Sequence, residues 1–202
     1  MAGRSKKDRG IVDDGLNEAT IVRSARDIIV QAGVDGLTMR RLSDALGVAL
    51  GATYHYVPNR SALLRLVAQD IYSELQLPRT TSGEWADHVH KAIINFVRLL
   101  RRYPGMSNEV MRDPNGMSPV VLRAFIEERL SHAGFRGVQL STVMAAVFFY
   151  VSGATAVLQI TSPDDQTRDA AIRHFDQGLR MLLKGAAATL PKRDLAAASA
   201  ET

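Results

Sequence analysis

Residues 36–64 read GLTMRRLSDALGVALGATYHYVPNRSALL, and this stretch decides the fold. Thr38 can cap or open a helix that runs to about Leu46. Gly47 breaks it, because glycine is the cheap residue for a tight turn of positive φ. A short helix follows over about Leu50 to Tyr56, and Pro58-Asn59 stops it. A longer helix starts near Arg60 or Ser61 and reaches about Leu75. Helix, tight turn and second helix in this order hold one helix out to enter a DNA major groove. Leu37, Leu42, Ala45 and Val48 are the expected apolar anchors. Thr53 or Tyr56, with Val57, would pack inward. Leu50, Gly51, Ala52, Tyr54 and His55 would then face DNA, and Arg40, Arg41 and Arg60 would reach backbone or base edges. Arginine can be bidentate to guanine O6 and N7. Spacing alone leaves a second reading open, since helix–glycine–helix pieces occur in many all-α proteins.

Working toward the N-terminus, a helix is expected from about Asn17 to Gln31, with Ala19, Val22, Ala25, Ile28 and Ile29 on one face. Gly33 ends it, and Val34-Asp35-Gly36 connects it to the motif. Residues 1–15 form a flexible basic arm carrying Arg4, Lys6, Lys7 and Arg9, which can follow phosphates or enter a minor groove, or serve as a solubilising tail. No apolar stretch follows these charges, so they are not read as a signal peptide.

The C-terminal side also reads as helical. LPRTTSG, residues 77–83, marks the domain boundary. Trp85, Val89, Ala92, Ile93, Phe96, Leu99 and Leu100 make an apolar stripe, ended by Tyr103-Pro104-Gly105. Asn108 to Arg112 reads as a short helix. Ser118-Pro119 opens another to about Ser131, since proline suits the first helical position. Gly134 and Gly137 precede a long apolar helix over about Val138 to Ile160. Within it Val143 to Ile160 is nearly unbroken, but Ser152, Gly153, Thr155 and Gln159 make it a buried soluble helix rather than a membrane span. The last helix carries Ala171, Phe175, Gly178, Leu179 and Leu182 on one face. The expected divisions are thus an arm at 1–15, a helix-turn-helix domain at 16–76, a helical domain at 77–190, to which the resemblance given below assigns effector binding and dimerisation, and a flexible tail at 191–202.

The chain has 202 residues and a formal net charge of +4. Its first 65 residues hold 10 Lys/Arg against 7 Asp/Glu, and the rest hold 15 against 14. So mild a bias does not by itself establish nucleic-acid binding. There is no cysteine, which excludes disulfides and thiolate chemistry. No glycine-rich phosphate loop or HExxH motif is present, and the histidines do not make a triad with Ser43-Asp44. His88 and His90 are two apart, on different helix faces, while His55, His132 and His174 stand alone. The expectation is a non-enzyme with no metal and no cofactor.

The pattern GLT–R–L–LGV–––YHYVPNRSALL resembles the N-terminal domain of the TetR family of transcriptional regulators, close to its tetracycline-repressor branch. The likeness is carried by residues 17–75, and beyond them by helical layout alone. It implies that Thr38 contacts phosphate, that Arg40 reads bases from the supporting helix, and that Tyr54 meets phosphate or sugar. Arg60 stands where the family usually has a phosphate-anchoring Lys. Leu50, Gly51 and Ala52 occupy the positions that reach the groove. Branch members carry polar groups where Leu50 and Ala52 stand, and a polar cap where Ala49 stands, which removes about 0.5–2 kcal/mol of capping. Leu, Ala and the Thr53 methyl can touch thymine methyls but cannot read donors and acceptors.

The resemblance further implies a homodimer built by the last two helices, where Ala145, Ala146, Gly153, Ala154 and Ala156 allow close approach. It implies a pocket for a small effector, for which Trp85, His88, Phe96, Met106, Met111, Met117, Phe125, Phe149 and Tyr150 are the candidate lining residues, with Arg129, His88 or His132 to orient the ligand. The expected function is that of a cytoplasmic repressor released from double-stranded operator DNA by a hydrophobic or aromatic effector. A dimeric helical small-molecule binding module with degraded DNA recognition is the alternative.

Overall fold

The computed structural model describes residues 16–79, 83–113, 117, 119–160 and 165–190. Among them the regular structure is helical, with no strand. The helices are α1 (Glu18–Ala32), α2 (Met39–Leu46), α3 (Leu50–Tyr56), α4 (Arg60–Ser73), α5 (Trp85–Leu100), α6 (Met106–Arg112), α7 (Val120–Ala133), α8 (Gly137–Ile160) and α9 (Asp165–Ala188). A single 3-10 turn, Val34–Gly36, joins α1 to α2. The expected arm, with Arg4, Lys6 and Lys7, and the expected tail lie outside the described residues.

The helix ends follow local chemistry. Asn17 caps α1 through a capping box: its Oδ1 accepts from Thr20 N at 2.9 Å, and Asn17 N donates to Thr20 Oγ1 at 3.0 Å. Asn59 caps α4, accepting from Ala62 N at 2.8 Å. The inner face of α1 is Ile21, Val22, Ala25, Ile28 and Ile29. Ala19, expected there, is exposed, and the larger Ile21 takes the buried position.

The chain divides into two compact units. The first comprises residues 1–74 and 100–117, the second 75–99 and 118–202. This departs from an uninterrupted second domain at 77–190, because the end of α5 and all of α6 return to the first unit. The core of the first unit is aliphatic, with Ile21, Ile29, Leu37, Leu42, Val57, Leu63, Leu64 and Ile71 all essentially buried. Each such side chain contributes about 1.5–3 kcal/mol of transfer free energy.

The second unit has its own core of Val89, Ile93 and Phe96 from α5, Leu122, Phe125, Ile126 and Leu130 from α7, and Phe175, Leu179 and Leu183 from α9. Trp85 meets Phe135 edge to face at 5.2 Å between centroids. The α8–α9 pair is locked by Tyr150, whose ring stacks on Phe175 at 5.4 Å. Its hydroxyl donates to Phe175 O at 2.9 Å. Gly178 makes room for it, since a Cβ there would stand 2.1 Å from the Tyr150 oxygen.

One sequence expectation is overturned in α8. The helix was expected to be buried, yet Val138, Phe148 and Phe149 are exposed, and only 11% of the apolar window Gly137–Thr155 is buried. By length and composition that window could also cross a membrane. Val143 and Val147 face the interior, while Val138, Phe148 and Phe149 lie on a surface of the single chain.

Candidate nucleic-acid interface

α2 is capped at both ends. Thr38 Oγ1 accepts from Arg41 N at 3.0 Å. At the other end Gly47 adopts φ 68°, ψ 27°. Gly47 N donates to Asp44 O at 3.2 Å and Val48 N to Ser43 O at 3.1 Å, the two bonds of a left-handed glycine stop. The turn needs a left-handed residue, and a side chain there would be strained.

The inward face of α2 is Met39, Leu42 and Ser43. Ala45, expected as an anchor, is exposed, because the eight residues of α2 turn it away from α1. Ser43 explains the register. Its Oγ donates to Met39 O at 2.8 Å and lies 3.1 Å from Thr53 Oγ1. Thr53 Oγ1 also stands 2.7 Å from Leu50 O; each hydroxyl has one proton, so with Ser43 donating to Met39 O it is Thr53 that donates to Ser43. Thr53 is 0% exposed, so the inward expectation holds and the one that gave its methyl to a thymine and counted Thr53 as a DNA contact is corrected: it pins α3 to α2. Each such hydrogen bond adds about 1 kcal/mol, and a lone buried hydroxyl would cost more than that.

With Thr53 and Val57 inside, the rest of α3 turns outward. Leu50 is 43% and Tyr54 45% exposed; Gly51 and His55 are exposed and Ala52 half-exposed. Thr38, Arg40 and Arg41 on α2 are exposed beside them. Arg41 Nη1 is 3.4 Å from Gly36 O. α3 begins at Ala49 without a side-chain cap, as the sequence suggested.

Arg60 behaves differently. It is half-buried, its Nε donates to Leu37 O at 2.9 Å, and its Nη2 donates to Val34 O at 2.7 Å. The fork therefore points into the turn before α2.

A second network, which sequence reasoning missed, closes the first unit. Arg26 on α1 donates to Asp70 Oδ2 at 2.5 Å and also to Glu74 and the Tyr103 hydroxyl. Burial works against the Arg26 charge, but the bonds to Glu74, Asp70 and Tyr103 outweigh it and raise its pKa. The hydrogen bond from Arg26 chiefly holds Glu74 below the ordinary carboxylate range. The partners lie 44 to 77 residues away in sequence, and no local pattern signals them.

The candidate effector residues are scattered. His88, Phe96 and Phe125 are buried and Trp85 half-buried within the second unit. Arg129 lies 5.0 Å above the Phe125 ring. Among the described residues its Nε is buried without a hydrogen-bond partner. Met106 is buried in the first unit, so it is corrected out of the set. Phe149 is 69% exposed and is likewise no lining residue of an interior pocket. The Met111 side chain lies outside the described set. Nearby in the second unit, His90 Nε2 sits 2.8 Å from Asp176 Oδ1. Burial pushes the Asp176 pKa up, and Arg180 with His90 more than reverses this. A groove of about 510 Å³ runs along α8 and α9 past Val138, Thr142, Ala146, Leu182 and Gly185. None of the candidate effector residues lines it. Among the described residues no group of three or more His, Cys, Asp or Glu is arranged for a metal.

Comparison with known proteins places this geometry. Residues 21–67 match the family model for the tetR family of bacterial regulatory proteins. An HTH-type transcriptional regulator from Saccharopolyspora erythraea is 25% identical over 202 aligned residues, covering 86% of each chain. The class D tetracycline repressor protein of Escherichia coli is 33% identical over 92 residues, which is 44% of this chain and 41% of the repressor. Among solved structures, BioQ with its natural double-stranded DNA operator superposes with a TM-score of 0.72 at 24% identity, covering 86% of this chain and 99% of that one. At that identity the likeness shows the fold.

Proposed function

The chain belongs to the TetR family of bacterial regulatory proteins, and from that premise we propose that it is a homodimeric, cytoplasmic repressor. It occupies a double-stranded operator and leaves it when a small hydrophobic or aromatic effector binds in the second unit. No covalent chemistry and no cofactor are involved. The observation that carries the reading is the sorting of α2 and α3: Leu42, Ser43, Thr53 and Val57 are buried, while Thr38, Arg40, Arg41, Leu50, Gly51, Tyr54 and His55 are exposed. In this reading Arg40 reads base edges, Tyr54 and Thr38 meet the backbone, and Leu50 with Ala52 contacts thymine methyls.

The apolar face of α8 and α9 supports the dimer, because exposed contiguous apolar surface marks an interaction site. Two copies read two half-sites one or more helical turns apart. The unpartnered Nε of Arg129 supports an effector that offers an acceptor beside its apolar body. One observation favours a second reading, a dimeric binding module that has lost its DNA recognition: the exposed apolar Leu50 at the start of an uncapped α3.

The test is a binding selection from a genomic DNA library, with Arg40→Ala/Tyr54→Ala alongside the native chain. A near-palindromic site enriched by the native chain and lost in the double variant, with the dimer intact, is expected. Sequence-indifferent binding that merely falls with salt would favour the second reading.

A further inference from the structure

We propose that Arg60 is a positioning residue, which braces the turn launching the supporting helix α2 instead of anchoring a DNA phosphate. The inference rests on the DNA-reading role of α2 and α3 proposed above. Arg60 is the first residue of α4, and its fork grips two main-chain carbonyls, Leu37 O from Nε at 2.9 Å and Val34 O from Nη2 at 2.7 Å. Both residues are buried. Leu37 is the residue before the α2 cap Thr38, so the bond fixes the direction in which α2 leaves the turn.

The same turn is also held at Val34 N and from within. Val34 N donates to Pro104 O at 2.8 Å, and Leu37 N donates to Val34 O at 3.0 Å. Gly105 has φ +89°, and a Cβ there would stand 2.9 Å from Val34 Cβ, so the turn that carries Pro104 O fits against Val34 only with glycine. Tyr103, at the start of that turn, is buried and accepts from Arg26. Arg60 is therefore one end of a continuous series, Arg26 to Tyr103, Pro104 to Val34, and Val34 and Leu37 to Arg60, that sets α2 from within the first unit. Removing the fork takes from the buried Leu37 O its Arg60 donor and leaves Val34 O with Leu37 N alone. A lysine ammonium at this position keeps the charge but lacks the planar fork that bridges two carbonyls.

The two roles separate cleanly with Arg60→Lys and Arg60→Met. Operator affinity is measured over a range of salt, and amide hydrogen exchange is measured on the free, full-length protein. The brace predicts that both variants lose operator affinity by roughly tenfold or more while the salt slope stays that of the native chain. It also predicts that exchange rises about tenfold at residues 34–41, with the α7 and α9 amides unchanged. A phosphate contact predicts the reverse: Arg60→Lys binds as the native chain does, Arg60→Met reduces the salt slope by about 0.9, and exchange is unaltered. That result would overturn the proposal, as would faster exchange throughout the molecule. If Arg60→Met does not fold, Arg60→Lys decides alone. If the native chain selects no operator, the regulatory reading fails, and the exchange at residues 34–41 still decides the brace.

Discussion

The first unit and the α8–α9 face of the second solve opposite problems. In the first unit each polar group that goes inside meets a designated partner: Ser43 meets Thr53, Arg26 meets Asp70, Glu74 and Tyr103, and Arg60 meets two carbonyls. What it leaves outside is mainly polar or small. The α8–α9 pair is fastened internally by Tyr150, Phe175 and Gly178, yet it presents Val138, Phe148, Phe149 and Met181 to solvent. One region hides most of its large apolar side chains within the single chain, and the other leaves several of them exposed. A reading head must be rigid before it meets DNA, because affinity depends on preorganisation. Under the proposed dimer, a second copy covers the exposed face.

The largest effect is expected from charging the exposed apolar face. Phe149 is 69% and Met181 74% exposed, so Phe149→Asp/Met181→Asp should change single-chain stability by no more than about 0.5 kcal/mol. It should nonetheless convert the protein to a monomer by sedimentation velocity and remove about 10²- to 10⁴-fold of operator avidity. A dimer that survives both charges would move the interface elsewhere. Native protein that partitions into lipid vesicles, and a variant that does not, would assign the face to a membrane.

The smallest effect is expected at the one unfinished point of the first unit, the N-terminus of α3. Ala49 already has the extended backbone of a cap, φ −65° and ψ 144°, without a side-chain acceptor. Ala49→Ser should add about 1 kcal/mol and raise Tm by about 2–4 °C in a calorimetric scan. No gain would mean that α3 is held wholly by Thr53 and Val57.

The sequence was legible wherever the deciding chemistry is local. Asn17, Thr38, Gly47 and Asn59 bound their helices through hydrogen bonds to residues three to five away, and helix bounds follow closely. The inward face of α3 was half-legible. Seven residues make two turns, too few for a period to choose between Thr53 as reader and Thr53 as anchor. The Ser43 hydroxyl across the motif makes that choice. The Arg26 series and the return of residues 100–117 to the first unit were illegible, because they join residues dozens apart with no shared pattern. α8 was half-legible for a different reason: the expectation of a buried helix holds for Val143 and Val147 and fails for Val138, Phe148 and Phe149. Core and interface use the same apolar residues, so composition alone does not say whether the covering surface belongs to this chain or to a second copy.

The most direct measurement is the stoichiometry of the complex on a DNA site selected by the native chain, read as the mass of the protein–DNA particle. Two chains on one near-palindromic duplex, with half-sites a helical turn or more apart, is the expected result. A single chain per site, or a mass that grows with duplex length regardless of sequence, would contradict a dimeric operator reader.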